Sequence, residues 1–389
     1  MERKRYLYDL IVPEHLKSRK MILISGPRQV GKTTLSKQIG SNFKNHTYLN
    51  WDDIDDRLRI RNREFSSFTI LDEIHKSKQW KSFVKGIYDK SKEEVLLCIT
   101  GSSRIDVYKK GGDSLIGRYF HYLLHPFSAG ELSNNHIVLP KNIDCENYQD
   151  IQETVINDLL KFSGFPEPFL RKEEVFYKKW RNQRLEKILK EDLRDLENLK
   201  MIELVEYLYQ LGKNTVGSTF SINSFRETLN ISFPTTAHYW KILESLYLYF
   251  SIPPYSKSIA RSLTKERKAY LWDYADLTNE SAAFENLIAS HLLKYVHFLQ
   301  NTYGENINLF YIRDREKREV DFLLEYENKP WMLIETKLDT TEIHKNSLYY
   351  KNNLNVPYSI QVIKKPHVFI KKDAQIILSA NKFLGVLGI

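Results

Sequence analysis

Short apolar runs alternate with amphipathic stretches over the first part of the chain. Five runs have the length and composition of buried β-strands: KMILISG, HTYLNW, FTILDE, EVLLCITGSS and FHYLLHPF. Helices are predicted between such runs, at TTLSKQIGSNF and WKSFVKGIYDKS. Because strands that alternate with helices favour a parallel sheet covered on both faces, we expect an α/β domain over residues 1–150.

A helical and charged region follows this domain. Between Gln152 and Leu211, acidic and basic residues interleave with apolar ones, as they do on solvated helix faces. Two short helices are then predicted within residues 219–250, on either side of the turn NISFPT. Pro234 and Thr235 are suited to the first turn of the second helix. The pattern therefore predicts a helix-turn-helix.

Two further features divide the rest of the chain. The basic stretch YSKSIARSLTKERKAYLWD comes directly after the predicted helix-turn-helix and is a candidate wing hairpin. A last alternation of helical and strand patterns begins near Ser281. We therefore expect a helical lid and winged-helix-like domain over residues 151–280, and a further α/β domain over residues 281–389.

Composition and charge narrow the classes of protein that fit. At 389 residues the chain is long enough for two or three domains. Its apolar runs are too short to span a membrane, and its charged N-terminus lacks the apolar core of a secretory signal. Two cysteines, Cys98 and Cys145, cannot form a disulfide framework, so we expect a cytoplasmic protein with no membrane partner. The formal charge of +9 is compatible with a polyanionic partner.

A phosphate-binding motif occupies residues 26–33, which read GPRQVGKT and fit the pattern G-x-x-x-x-G-K-[ST]. The motif follows the apolar run MILIS and opens the helix TTLSKQIG, as a P-loop requires. Lys32 is predicted to reach the β and γ phosphates of ATP, and the Thr33 hydroxyl is predicted to bind Mg²⁺. The predicted nucleotide-binding residues of the loop are Gly26, Pro27, Arg28, Gln29, Val30, Gly31, Lys32, Thr33 and Thr34.

The run FTILDE supplies two carboxylates at the end of a predicted strand. Asp72 is expected at the carboxyl end of a buried strand beside the P-loop, where it would hold the Mg²⁺. Glu73 is expected to polarise the attacking water. In the alternative interpretation, the two acids only cap the next helix.

Two further residues are candidates for the nucleotide site. The next strand, LLCITGSS, ends in small hydroxyl residues, of which Ser102 is predicted to orient the nucleophilic water, although serine also commonly ends strands. Arg118 precedes the last predicted strand and is a candidate arginine finger for the nucleotide of a neighbouring subunit. In the alternative interpretation, it is an ordinary surface arginine. As a finger it would require a homo-oligomer, such as a hexameric ring.

Four motifs follow one another in a family-specific order: GPRQVGKTT, ILDEIHK, TGSS and SLIGRYFHYLLHPFSAGEL. The segment GFPEP at Gly164–Pro168 comes after them. With these motifs the chain resembles prokaryotic AAA-type P-loop ATPases that carry a C-terminal DUF4143 domain, whose family is similar to PD-(D/E)XK nucleases. The resemblance covers nearly the whole chain. It implies an AAA+ fold, ATP hydrolysis, a winged-helix-like middle region and a C-terminal restriction-endonuclease-like α/β domain.

PD-(D/E)XK nucleases need an acid on one strand and an E/D-x-K motif on the next, often with a further acid on a preceding helix. The matching residues are Glu285 in AAFENLIASHLLKYV, Asp321 in EVDFLLE, and Glu335 and Lys337 in MLIETK. The strand period puts Glu335 and Lys337 on one face, and a hairpin through YENKP can bring Asp321 against it. Glu285, Asp321 and Glu335 are therefore predicted to bind Mg²⁺, and Lys337 is predicted to orient the nucleophile.

The same residues also have a structural interpretation. Amphipathic hairpins commonly carry acids and lysines on their solvent-exposed faces, and the pattern D…E-x-K is loose. Nuclease-like domains can also keep their acids for binding or serve as a platform for partners. Cleavage of DNA and binding of DNA without cleavage are therefore both open.

Basic residues elsewhere support a DNA partner. Lys241 and His238 lie on the predicted recognition helix, where Tyr239 and Trp240 are expected to pack inward. The stretch KKPHVFIKK adds positive charge near the C-terminus. The predicted positive wing consists of Arg261, Lys265, Arg267 and Lys268.

Three functions are compatible with these features. The first is an ATP-hydrolysing, DNA-binding protein that remodels or processes DNA, including branched or broken DNA, and in which ATP use moves the duplex or gates cutting. The second is ATP-driven branch migration without any nuclease step. The third is a signalling or defence switch in which nucleotide exchange controls assembly and the C-terminal domain is an effector or a platform.

Overall fold

The computed structural model describes residues 3–91, 94–101, 115–193, 202–256, 266–372 and 374–389. These residues form two compact units. The first unit runs to Pro126 and includes short later pieces, at Glu191 and at Ser245–Tyr247. The second unit contains most of the remainder, beginning at Phe127. No helix within the described ranges has both the length and the apolar character needed to cross a membrane.

The first unit contains a five-stranded parallel sheet in the order β2-β3-β4-β1-β5. Its strands are β1 (Met21–Ser25), β2 (His46–Asn50), β3 (Phe68–Asp72), β4 (Leu96–Gly101) and β5 (Tyr119–Leu123). Its helices are α1 (Tyr8–Ser18), α2 (Lys32–Gly40), α3 (Ile54–Asn62) and α4 (Trp80–Ser91). Four of these strands fall within the predicted apolar runs and β5 begins one residue before its run, so the predicted α/β fold class is confirmed.

The central strands β1, β3 and β4 are buried along their whole length. This explains why they read as continuous apolar runs rather than as alternating ones, since helices cover both faces of a parallel sheet. Parallel register places their carboxyl ends along one edge, where Ser25 pairs with Gly101 and Asp72 pairs with Thr100. The P-loop leaves the sheet at this same edge.

The second unit begins with a helical region, as the charged pattern predicted. Its helices are α5 (Ala129–Leu132), α6 (Glu153–Phe162), α7 (Pro166–Arg171), α8 (Glu174–Lys187) and α9 (Ile202–Lys213). A buried carboxylate joins several of these segments, because Asp276 accepts hydrogen bonds from the Tyr209 hydroxyl at 3.1 Å and from Lys213 at 2.7 Å. Arg181 of α8 also forms an ion pair with Asp276. Polar contacts therefore supplement apolar packing here.

A winged-helix-like arrangement of two helices and three strands follows. Its elements are β6 (Thr219–Phe220), α10 (Ile222–Leu229), α11 (Phe233–Ser245), β7 (Tyr249–Ile252) and β8 (Arg267–Leu271), with the strands in the antiparallel order β6-β8-β7. The predicted helix-turn-helix is confirmed, and its second helix begins one residue before Pro234. Tyr239 and Trp240 are buried, as expected. Arg261 and Lys265 of the predicted wing lie outside the described residues.

The C-terminal domain is built on a mixed six-stranded sheet in the order β13-β14-β12-β11-β10-β9. Its strands are β9 (Ile307–Arg313), β10 (Glu319–Tyr326), β11 (Lys329–Lys337), β12 (Tyr358–Ile363), β13 (Phe369–Lys372) and β14 (Gln375–Ser379). Its helices are α12 (Glu280–Phe298), α13 (Lys345–Leu354) and α14 (Ala380–Leu387). Strands β9, β10 and β11 are antiparallel, whereas β11, β12 and β14 are parallel.

The hairpin between β10 and β11 turns through two residues. Glu327 and Asn328 have φ angles of 51° and 60°, the left-handed backbone conformation that a type I′ turn requires at both central positions. The hairpin register pairs Phe322 with Ile334. Asp321 and Glu335, the next residues on each strand, are thereby brought together, which confirms the hairpin predicted for YENKP.

Candidate functional site

The P-loop backbone depends on two of its glycines. Gly26 has a φ of 151°, and a side-chain Cβ at this position would lie 2.4 Å from the carbonyl oxygen of Leu124. Gly31 has a φ of 97° and directly precedes α2, in the left-handed region that favours glycine. The loop therefore takes a path that most residues could not follow, and it ends at the N-terminus of a helix, where backbone N–H groups and the helix dipole favour phosphate.

Lys32 points back into this loop. Its side chain is buried, and its Nζ donates hydrogen bonds to the carbonyl oxygens of Gly26 at 3.0 Å and Pro27 at 2.8 Å. These carbonyls belong to the segment that surrounds the phosphates in a P-loop. The ammonium is thus held where a bound phosphate would be the stronger acceptor, since charge-assisted hydrogen bonds exceed those to neutral carbonyls.

Asp72 and Thr33 come together as predicted for a magnesium site. The Thr33 hydroxyl donates to Oδ2 of Asp72 at 2.8 Å. Tyr48 also donates its hydroxyl to Oδ2 at 2.8 Å, and burial together with this carboxylate raises the pKa of Tyr48. A hydroxyl and a carboxylate converging beside the P-loop are the oxygen ligands that Mg²⁺ prefers, so these residues fit the ion. Tyr48 did not stand out in the sequence because it lies within an ordinary strand pattern.

Glu73 follows Asp72 in a left-handed conformation, with a φ of 56°. Its backbone N–H donates to the carbonyl of Thr100 at 2.9 Å, which anchors it to β4. Burial raises the pKa of the Glu73 carboxyl, while Lys32 opposes the shift. Glu73 directly precedes the short 3₁₀ turn Ile74–Lys76, but its side chain makes no capping hydrogen bond there. Simple capping therefore does not account for this carboxylate.

A neighbouring histidine is neutral at physiological pH. His75 Nε2 lies 3.5 Å from Oε2 of Glu73, and burial lowers the pKa of His75 to about 4. The pair is therefore not a salt bridge at neutral pH, because the imidazole carries no charge there. The imidazole therefore does not neutralise the Glu73 carboxyl by donating a charge to it at neutral pH.

Thr100 occupies the position that the sequence assigned to a polar strand-end residue. Its hydroxyl donates to Oδ1 of Asp72. Ser102, the predicted residue, lies outside the described residues, so its role stays a prediction. The feature that identifies Thr100 is the strand register, because β4 runs parallel to β3 and thereby sets Thr100 opposite Asp72. One strand end thus orients the carboxylate on the next.

Replacing Thr100 by valine is expected to lower the ATP turnover rate by about 10-fold, or ~1.4 kcal/mol, because the isosteric change removes one hydrogen bond to a charged group. Steady-state phosphate release measures this effect. Thr47→Val is the matched control, because Thr47 lies on β2 and its replacement by valine also removes one hydroxyl. Equal turnover in both variants would show that the Thr100 hydroxyl does not position Asp72.

Arg118 forms a two-point ion pair within its own chain. Its Nε lies 2.7 Å from Oδ1 of Asp89, and its Nη2 lies 3.2 Å from Oδ2. The hydrogen bond to Asp89 raises the pKa of the Arg118 guanidinium. A role as arginine finger stays a prediction, and it would require the guanidinium to exchange this carboxylate for a phosphate of a neighbouring subunit.

In the C-terminal domain, Asp321 is held by several donors. Its Oδ2 accepts hydrogen bonds from the Thr336 backbone N–H at 2.9 Å and the Thr336 hydroxyl at 2.7 Å. Its Oδ1 accepts from Lys268 Nζ at 3.0 Å. Burial alone would raise the pKa of Asp321, but Lys268 and Thr336 outweigh burial and lower it. Asp321 is therefore ionised and internally paired.

Glu335 and Lys337 lie on one side of β11, as the strand period predicted. Lys337 Nζ donates to Oε1 of Glu335 at 2.6 Å, and the Asp321 backbone N–H donates to Oε2 at 3.3 Å. Burial, followed by the charge of Asp321, raises the pKa of Glu335 to about 8. His344 Nδ1 lies 3.4 Å from Oε2, and burial lowers the pKa of that imidazole. Their predicted catalytic roles are not tested by this geometry.

Glu285 projects from α12 into the same cluster. Its Oε1 accepts hydrogen bonds from the Tyr270 hydroxyl at 2.7 Å and from Lys268 at 3.2 Å. Burial raises the pKa of Glu285 to about 7. Gly217 approaches from the other side, and a Cβ there would lie 3.0 Å from Oε2. Glu285 therefore joins Asp321 and Glu335 in one place, as the sequence suggested.

Lys268 is the residue that sequence reasoning placed wrongly. It was predicted to be part of a positive wing, but its side chain is fully buried and lies among the acids of the cluster. Burial alone would lower the pKa of its ammonium, but Tyr270 and the surrounding carboxylates raise it well above its ordinary value. Within the described residues, no group of three or more His, Cys, Asp or Glu side chains is arranged to hold a metal ion.

Comparison with known families agrees with this architecture. Three family models match successive parts of the chain: an AAA domain over residues 18–133, a domain of unknown function (DUF8612) over 153–279 and another (DUF4143) over 280–383. The chain therefore carries an AAA-type P-loop domain followed by two domains of unknown function. The AAA and DUF4143 parts of the resemblance are confirmed, whereas a nuclease character is not part of what these matches show.

Two proteins with similar sequences bear names that give no activity. The uncharacterized protein MJ1544 of Methanocaldococcus jannaschii is 26% identical over 367 residues, covering 85% of this chain and 78% of the relative. The uncharacterized protein Rv2008c of Mycobacterium tuberculosis is 20% identical over 375 residues, covering 94% of this chain and 81% of the relative.

Solved structures show weaker likeness. The Holliday junction branch migration motor RuvB of Thermotoga maritima is 17% identical with a TM-score of 0.31, covering 59% of this chain and 81% of that chain. The Orc1 protein of Aeropyrum pernix, in complex with DNA, is 16% identical with a TM-score of 0.30, covering 74% and 91%. At these TM-scores the likeness carries no argument about function.

Proposed function

We propose that this protein is an ATP-hydrolysing, DNA-binding protein that uses ATP to remodel or process DNA. The observation that carries the ATPase part is the convergence of Thr33, Asp72 and Thr100 beside the P-loop lysine, Lys32. Bound Mg²⁺ would neutralise phosphate charge. Lys32 holds the phosphates, Thr33 and Asp72 offer oxygen ligands to the ion, and Glu73 polarises the attacking water.

DNA binding is supported by the charge and by the winged-helix-like segment. The chain carries a formal charge of +9, which favours a phosphate backbone as a partner. Helix α11 follows the tight turn in the position of a recognition helix, and His238 and Lys241 are exposed on it. Arg267 is partly exposed at the start of β8. These residues would contact phosphates and set orientation rather than read sequence.

We expect DNA to raise ATP turnover several-fold, with a stimulation that weakens as salt increases because counterions compete for the phosphates. The measurement is phosphate release with single-stranded, duplex and four-way DNA at several salt concentrations. Lys241→Glu should reduce this stimulation while leaving basal turnover unchanged. Lys179→Glu is the matched control, since Lys179 is an exposed lysine on α8, outside the winged-helix-like segment. Turnover indifferent to every DNA would contradict the DNA-dependent function.

A nucleotide-controlled switch is the second candidate. One contact favours it, because Arg28 of the P-loop forms an ion pair with Glu191, a residue beyond α8, at 3.0 Å. A phosphate bound in the loop would compete with Glu191 for the Arg28 guanidinium, so nucleotide binding would act on that segment. For a switch, the assembly state measured by light scattering should follow the bound nucleotide, and DNA should have little effect on turnover.

A further inference from the structure

Lys268 lies at the point where the acids of the C-terminal domain converge. Its Nζ is 3.0 Å from Oδ1 of Asp321, 3.2 Å from Oε1 of Glu285 and 2.8 Å from Oε1 of Glu319. The Lys268 side chain has no exposed surface. Glu285 and Asp321 are two of the three acids predicted to bind Mg²⁺ in this domain, and the third, Glu335, pairs with Lys337. A cation of the protein therefore already occupies the centre of the predicted metal site.

The carboxylate oxygens are engaged by protein donors. Asp321 accepts two hydrogen bonds from Thr336 on one oxygen and one from Lys268 on the other. Glu285 Oε1 accepts from both Tyr270 and Lys268. A divalent ion would need several of these oxygens at roughly 2.0–2.6 Å, which is much closer than the ammonium holds them. The donor set does not fit the ion without losing these bonds.

The charges of the cluster are also largely balanced without an ion. Its carboxylates are Glu285, Glu319, Asp321 and Glu335, and the cations paired with them are Lys268, Arg313 and Lys337. A divalent ion at the centre would have to displace a buried ammonium from its counter-ions. Leaving that charge buried and unpaired is strongly unfavourable, so the ion and Lys268 compete for one place.

The position of Lys268 in the fold explains how it reaches the cluster. It lies on β8 of the winged-helix-like segment, where the period of two sets it on the same side as Tyr270. Both residues contact Glu285 of α12, and Lys268 also contacts Asp321 of β10. The acids belong to the C-terminal domain, whereas the cation that pairs with them belongs to the winged-helix-like segment. The contact therefore joins β8 to α12 and β10.

We propose that Lys268 permanently replaces the divalent ion in the C-terminal domain, so that its nuclease-like acids form an internal ion-pair joint with β8 rather than a metal-dependent cutting site. Asp321 and Glu285 are then structural partners of the winged-helix-like segment. The domain engages DNA or another partner without metal-dependent cleavage. This inference does not depend on the ATPase or on DNA stimulation, and it can fail while both of those hold.

The test measures Mn²⁺ binding by electron paramagnetic resonance. It compares wild type, Asp321→Asn and Asp72→Asn, each as the full chain without nucleotide. Asp72→Asn accounts for any ion held beside the P-loop. We expect Asp321→Asn to bind as much Mn²⁺ as wild type, and wild type to leave supercoiled DNA intact in Mn²⁺. An ion bound by wild type and by Asp72→Asn, but lost in Asp321→Asn, would overturn the proposal.

Lys268→Ala gives a second, independent readout. Removing the ammonium leaves the carboxylates without their central cation, so this variant should gain one Mn²⁺ that Lys268→Ala/Asp321→Asn does not bind. Thermal unfolding with and without Mn²⁺ should show a metal-dependent rise in Tm for Lys268→Ala and none for wild type. An Asp321-dependent rise in wild type would overturn the proposal even if Lys268→Ala does not fold.

Discussion

Replacement of Lys32 by alanine is expected to reduce ATP hydrolysis by at least about 100-fold, because it removes the cation that the P-loop directs at the transferred phosphate. The side chain is buried and is held by the carbonyl oxygens of Gly26 and Pro27, which fixes its ammonium inside the loop. Nucleotide affinity should fall as well, since the lysine contacts the phosphates in the ground state. Steady-state phosphate release and equilibrium titration with a fluorescent nucleotide measure the two effects separately.

Lys44→Ala is the control for this change. Lys44 is exposed beyond the C-terminal end of α2, whereas the loop lies at its N-terminal end, so the same loss of charge occurs without touching the loop. The control should keep wild-type turnover, with or without DNA. Full DNA-stimulated hydrolysis by Lys32→Ala would show that nucleotide is hydrolysed elsewhere, and the assignment of this loop as the ATP site would be wrong.

Patterns within short stretches of the sequence were enough to predict most of the fold. The five strands of the first sheet could be predicted because each is an apolar run between helical stretches, and burial on both faces requires such runs. The P-loop could be predicted because its glycines and lysine must occur at fixed spacing. The hairpin that carries Asp321 and Glu335 could be predicted because two apolar runs flank a short turn. The two central residues of that turn adopt the left-handed backbone conformation. In each case the signal lies within a few consecutive residues.

Contacts between distant segments were harder to predict. The contact of Thr100 with Asp72 could be recognised only once β4 was known to pair with β3, because this pairing sets the two residues opposite each other. Lys268 was assigned to the surface because it follows a basic run, and lysine is rarely buried without partners. Its partners lie 17 and 53 residues further along the chain, at Glu285 and Asp321. Only its strand alternation with Tyr270 hinted that it pointed inward.

The two acidic sites of the chain illustrate how similar residues differ in chemistry. In the P-loop unit, Asp72 accepts mainly from hydroxyl groups, which an incoming ion can displace at little electrostatic cost. In the C-terminal domain, Asp321 accepts from a buried ammonium, which cannot be displaced without leaving a charge unpaired. The count of acids is therefore a poor guide to metal binding. The identity of the donors facing them is the better one.

Replacing Glu73 by glutamine is expected to reduce hydrolysis by about 100-fold to 10,000-fold while nucleotide binding persists, because the amide keeps the size of the side chain but cannot act as a base. Lys32 and Thr33 are unchanged, so the phosphates and their ion keep their protein contacts. Single-turnover hydrolysis measures the chemical step, and retention of nucleotide on a desalting column measures binding. The variant should therefore accumulate with bound ATP.

The combination of slow hydrolysis and retained binding separates a base from a structural residue. Glu73 is half-buried in a left-handed turn, so a merely structural role would appear as lost binding and a lower Tm together. Glu64→Gln is the matched control, since Glu64 is exposed after α3 and should tolerate the same change. Wild-type turnover in Glu73→Gln would exclude Glu73 as the base and require the water to be activated by another group. In that case Asp72, anchored by Thr33, Tyr48 and Thr100, would be the carboxylate to test next.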